Sequence, residues 1–122
     1  MLNFIIALWA VGFGLMTLEI YLAFAKNDII GFPSGVGSVV YGLISLVYAF
    51  AAYSYWVDYK MNNNTVSYLK ATIMDMLAFT SSMISLLLST INLLISKIPQ
   101  GRILGGIGIA LSLVAINIAT LG

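Results

Sequence analysis

Four stretches of the chain are each long and apolar enough to cross a bilayer: Leu2–Ala25, Val36–Val57, Ala71–Ser96 and Ile103–Leu121. A helix needs about 20 apolar residues to traverse the hydrocarbon core. The first stretch holds one charge, Glu19, the third holds one, Asp75, and the other two hold none. None alternates strictly between apolar and polar residues, so a membrane β-barrel is not expected. The expected fold is all-α: one domain over residues 1–122, a small polytopic membrane-type protein with four apolar helices in two antiparallel hairpins.

Composition closes the soluble alternative. Hydrophobic residues make up 61% of the chain and charged residues 7%, against roughly 45–50% and 25% in soluble domains. So few charges cannot coat a water-facing surface of this size. A net charge of +1 leaves no basic patch for duplex DNA. The chain has neither Cys nor His. That removes thiol chemistry, disulfides, most zinc sites and any Ser-His-Asp triad. No nucleophile, base and oxyanion donor stand together in the pattern, so an enzyme is not expected.

The links between the stretches are short and rich in turn residues. Lys26–Gly35 contains Lys26, Asp28, Gly31, Pro33, Ser34 and Gly35; Asp58–Lys70 contains Asn62, Asn63 and Asn64; Lys97–Arg102 contains Pro99 and Gly101. Pro and Gly stop helices and let the chain reverse. Short links favour antiparallel neighbours. Ala23-Phe24-Ala25 follows an apolar run in the form of a signal-peptidase site. No basic residue precedes that run and Glu19 interrupts it, so an uncleaved helix is expected. Three cationic side chains (Lys26, Lys97, Arg102) fall on one side of the membrane and two (Lys60, Lys70) on the other, too small a bias to set orientation.

Five features could carry function. Glu19 is an intramembrane carboxylate, which raises a proton or cation site; a structural role near the membrane end, or pairing with Lys26, competes with it. Asp75, five residues after Lys70, falls early in the third stretch, where an acid complements a helix N-terminus, or it pairs with Lys97 or Arg102 across an interface. Small residues recur every fourth position: Ser81, Ser85 and Ser89; Gly101 and Gly105; Gly106 and Ala110; Gly108 and Ser112; Ser38 and Gly42. Close approach over small residues is how helices associate in lipid, so helix packing, within or between subunits, is expected there, with pore lining as the other reading. Tyr53, Tyr55, Trp56, Tyr59 and Tyr68 form an aromatic band suited to the headgroup level. Asn63-Asn64-Thr65 is an N-glycosylation acceptor pattern.

Glu19 in the first of four short spans resembles the small multidrug-resistance transporters, whose third-helix motifs have no counterpart here. The last third, from Thr80, is an apolar helix, a basic turn and a Gly-rich helix. Through Lys97, Gly101, Arg102, Leu104, Gly105, Gly106 and Ala110 it resembles conjugative pilins, the F-type and type IV secretion pilins and archaeal DNA-import pilins. Leu2–Val57 adds about two further spans. The resemblance implies a subunit extracted from the membrane with phospholipid and stacked on copies of itself into a hollow helical filament at the cell surface. Lys97 and Arg102 would hold lipid phosphates in the lumen, and single-stranded DNA would pass without specific binding. Bound phospholipid is then the expected ligand, with no other cofactor and no metal. The alternatives are a carrier coupled through Glu19 and an accessory subunit of a larger membrane complex.

Overall fold

The computed structural model describes residues 2–25, 32–95 and 99–120; for Leu2, Phe4, Phe32 and residues 99–101 the backbone alone is described. It contains four helices: α1 (Leu2–Phe24), α2 (Phe32–Asn62), α3 (Thr65–Ile95) and α4 (Pro99–Ala119). All four are long and apolar enough to cross a membrane. Consecutive helices run antiparallel. Glu19 of α1 lies beside Ser34 and Leu8 beside Tyr41; Ser38 of α2 meets Ser85 of α3 while Trp56 meets Asp75; Asn92 of α3 lies against Gly105 of α4 and Ser89 against Gly108.

The expected boundaries need correcting at the links. Residues 58–70, expected as an Asn-rich loop, are helical except for Asn63 and Asn64. The second helix therefore runs from Phe32 rather than Val36 and ends at Asn62 rather than Val57. The third begins at Thr65 rather than Ala71, and the fourth at Pro99 rather than Ile103. Pro33 and Pro99 sit in first turns, where a missing N–H costs nothing. Ser34 and Gly35, expected in the link, lie inside α2. Polar residues outside the hydrocarbon core can remain helical, so the fall in hydropathy marked the membrane boundary and not the helix end.

The reversal at Asn63 and Asn64 follows from their chemistry. Asn63 has φ 52°, a left-handed conformation that Asn tolerates better than most residues. Its N–H closes α2 by donating to the Tyr59 carbonyl at 2.8 Å. Asn64 then caps α3, its Oδ1 accepting from the Val66 N–H at 3.1 Å.

Packing is uneven. α2 and α3 form the most extensive contact, α4 packs on both, and α1 touches α2 and α3 but not α4 among the described residues. At one level Ala49, Ala78, Ala115 and Ala119 close the centre of α2–α4. At another, Tyr41, Ile84 and Leu88 form a second cluster against which Leu8, Trp9, Leu15 and Met16 of α1 pack. The outer faces are apolar, with Val47 67% and Leu94 77% exposed. In water these faces would be a liability; in lipid they are solvated.

Candidate functional site

Glu19 lies five residues before the end of α1 and is fully buried. Its Oε2 accepts a hydrogen bond from the Ser34 N–H at 3.3 Å. Ser34 is the third residue of α2, among the first four whose N–H groups have no partner within their own helix. A carboxylate is stabilised there by the donor and by the helix dipole. Glu19 thus ties α1 to the start of α2 instead of reaching the interface. Lys26, its expected partner, lies outside the described residues.

A second tie holds the other half of α1: the Tyr41 hydroxyl donates to the Leu8 carbonyl at 2.8 Å. Between these ties two glycines bring helices close. A Cβ on Gly12 would meet Ile84 Cγ2 at 2.8 Å, and one on Gly37 would meet Leu15 Cδ1 at 2.8 Å and Leu88 Cδ1 at 3.0 Å. On its open side α1 leaves a cleft of about 460 Å³ against α2, lined by residues that include Val11, Leu15, Pro33 and Val40.

The core of α2–α4 is a seam of small residues. Ser81, Ser85 and Ser89 share one face of α3, and all three are fully buried. Ser85 Oγ donates to the Ser38 carbonyl at 2.6 Å and lies 3.4 Å from the Gly108 carbonyl. Ser38 Oγ donates to the Gly35 carbonyl at 2.8 Å. Ser45 and Ser112 donate to the Gly42 and Gly108 carbonyls at 2.7 and 2.8 Å. A Cβ on Gly108 would meet Ser38 Cβ at 2.7 Å and Ser89 Oγ at 2.9 Å; one on Gly105 would meet Asn92 Cγ at 3.0 Å. Ser81, Ser82 and Ser89 have hydroxyls with no hydrogen-bond partner among the described residues. An unmade buried hydrogen bond costs about 1–3 kcal/mol, so these serines serve the seam by being small and not by bonding.

One small-residue pair lies outside the seam, and one expected placement changes. Gly106 faces open space and Ala110 is exposed, so that pair lies outside the seam; a spacing of four fixes a shared face but not which face. Asp75 is the eleventh residue of α3, too deep to complement its N-terminus. Its Oδ2 accepts the Trp56 indole N–H at 2.9 Å instead. Arg102 is in the first turn of α4, at the opposite end of the bundle from Asp75, so the two do not pair within one chain. Arg102 is exposed; Lys97 lies outside the described residues, and Gly101 is described by its backbone alone.

The aromatic band condenses on the end of the α2–α3 hairpin. Trp56 and Tyr68 meet edge to face with ring centroids 5.2 Å apart, and Tyr59 and Tyr68 are also 5.2 Å apart. The Lys70 ammonium lies 5.6 Å from the Tyr55 ring, within cation–π range. Asp58 accepts from Asn62 at 2.8 Å and from the Ser67 hydroxyl. These contacts lock the polar end of the hairpin as helix.

The sequence did not point to Ser34, Tyr41, Asn92, Gly12 or Gly37. Gly12 has Gly14 two residues on and Gly37 has Gly35 two residues before it, so the pattern did not single out which glycine makes the close approach. The Ser34 backbone donor carried no signal, because its availability depends on where α2 begins. No protein-family model, curated protein or solved structure matches the chain.

Proposed function

We propose that this protein is a structural subunit of a membrane-derived assembly, and that the assembly is a lipid-containing filament of the conjugative-pilin type. The observation that carries the structural reading is the small-residue seam. Serine, glycine and alanine fill much of the centre of α2–α4 with helices in direct contact, while large apolar side chains such as Val47, Phe50, Leu94 and Ile103 cover the outside. Such a body is built to be packed against, by lipid or by copies of itself. The pilin form adds the basic turn. Arg102 is exposed at the start of α4, where with Lys97 it would face lipid phosphate, and guanidinium and ammonium groups pair well with phosphate. DNA would pass through the lumen of such a filament without specific binding.

The carrier reading keeps one observation, a fully buried glutamate. Its engagement with the α2 N-terminus favours a fastening role.

Shearing cells that express the chain, followed by negative-stain microscopy of the released material, tests the proposal. The chain is expected in filaments that retain phospholipid. Replacing Lys97 and Arg102 together by Glu is expected to block their assembly. Recovery of the chain only in the membrane fraction, with proton-driven uptake lost in Glu19→Gln vesicles, would replace this reading by the carrier.

A further inference from the structure

The α2–α3 hairpin reaches well past its neighbours. α2 and α3 are 31 residues each, about 46 Å at about 1.5 Å per residue, against a hydrocarbon core of about 30 Å. Ala49 is level with Ala115 and Ala119 near the end of α4. From Ala49 to Asn63 the hairpin therefore climbs about 21 Å more. In a bilayer of that thickness a hairpin of this length would carry its polar apex into the aqueous phase.

At that apex the three asparagines differ. Asn62 is bound, its Nδ2 donating to Asp58 Oδ1 at 2.8 Å. Asn64 is bound, its Oδ1 accepting from the Val66 N–H at 3.1 Å. Asn63 is exposed, and its backbone N–H is the group that bonds, to the Tyr59 carbonyl. Its side-chain amide has no hydrogen bond among the described residues. The unengaged side chain is the acceptor position of the Asn63-Asn64-Thr65 pattern, the sole such pattern in the sequence.

We propose that Asn63 is a site of N-linked glycosylation, and that the apex of the α2–α3 hairpin faces the extracytoplasmic side. In the transfer step the Asn63 amide nitrogen bonds to the anomeric carbon of a sugar carried on a lipid-linked phosphate or pyrophosphate donor. The anomeric C–O bond breaks, the phosphate leaves with the bonding pair, and the amide nitrogen gives up one proton. No oxidant or reductant is needed. The segment that must open to present Asn63 is short: the Asn63–Asn64 turn and the first turn of α3, held by local hydrogen bonds.

With the apex outside, Lys60 and Lys70 lie outside, and Lys26, Lys97 and Arg102 lie on the cytoplasmic side, a difference too small to set the orientation, which rests on the acceptor pattern alone. A glycan on Asn63 would also shield Met61 and Val66, apolar side chains 78% and 55% exposed beside the apex.

The test is mass spectrometry of the protein purified from its own membranes. Trypsin cleaves after Lys60 and Lys70, releasing Met61–Lys70 with Asn63 inside it. The expected result is a hexose-containing mass excess on this peptide, localised to Asn63. Asn63→Gln and Thr65→Ala should each abolish it. Thr65→Ser preserves the acceptor pattern and Asn62→Gln leaves it untouched, so both should keep the excess and show that its loss is not a folding defect. Recovery of Met61–Lys70 wholly at its unmodified mass would overturn the proposal, as would an excess that survives Asn63→Gln.

Discussion

α1 and α4 are of similar length and equally apolar, yet they are held differently. Within their most hydropathic windows α1 is 17% buried and α4 28%. The difference lies in side-chain size. α4 presents Gly105, Gly108, Ser112, Ala115 and Ala119 along one buried face. α1 presents Gly12 among bulkier neighbours, and its Gly14 meets nothing within 4 Å. In lipid, apolarity does not draw helices together, because the tails are as apolar as the side chains. Close backbone approach over small residues does, so α4 belongs to the core while α1 is fastened at a few points.

The largest effect that would break this contrast comes from filling the seam. Gly108→Leu should destabilise the bundle by about 3 kcal/mol, the upper end of overpacking costs, because the new side chain would begin in contact with Ser38 and Ser89. Gly106→Leu, two residues away but facing open space, should stay within about 0.5 kcal/mol. Unfolding in mixed micelles measures both, and equal losses would show that the seam does not set the stability of α4.

Trp56→Phe sharpens the contrast from the polar end of the core. It keeps the ring cluster but removes the indole donor to Asp75, and leaving a part-buried acceptor unpaired costs about 1–3 kcal/mol. The cost should appear as faster amide exchange in α2 and α3 beyond Ala49 and Ala78, with α1 unaffected.

Glu19→Gln should have a smaller effect than Trp56→Phe, about 0.3–1 kcal/mol. A side-chain oxygen remains to accept the Ser34 N–H, so the fastening to the α2 N-terminus is kept. The loss should fall on the association of α1 with α2, read as faster amide exchange in α1.

The number and antiparallel order of the helices were legible because four runs near membrane length leave few other folds. The α2–α3 boundary was not. Asp58, Lys60, Ser67 and Lys70 look like loop residues, yet Asp58 pairs with Asn62 one turn on and with Ser67 across the hairpin, which keeps both ends helical. Among candidate sites, Ser81, Ser85 and Ser89 were legible by their fourfold spacing. Glu19 was legible as a residue but not as a fastening, since its partner is a backbone N–H exposed by the position of Phe32 and Pro33. Asp75 was misplaced because the start of α3 was placed six residues too late.

Distance distributions between spin labels test the central claim most directly, since a chain without cysteine accepts a pair at any chosen positions. One pair would replace Leu43 on α2 and Leu113 on α4; the other would replace Leu43 and Phe13 on α1, all exposed positions. In lipid nanodiscs the α2–α4 pair should give one narrow distribution and the α2–α1 pair a broad one, because few contacts fix α1. Equally narrow distributions would contradict the account and place α1 within the same rigid core as α4.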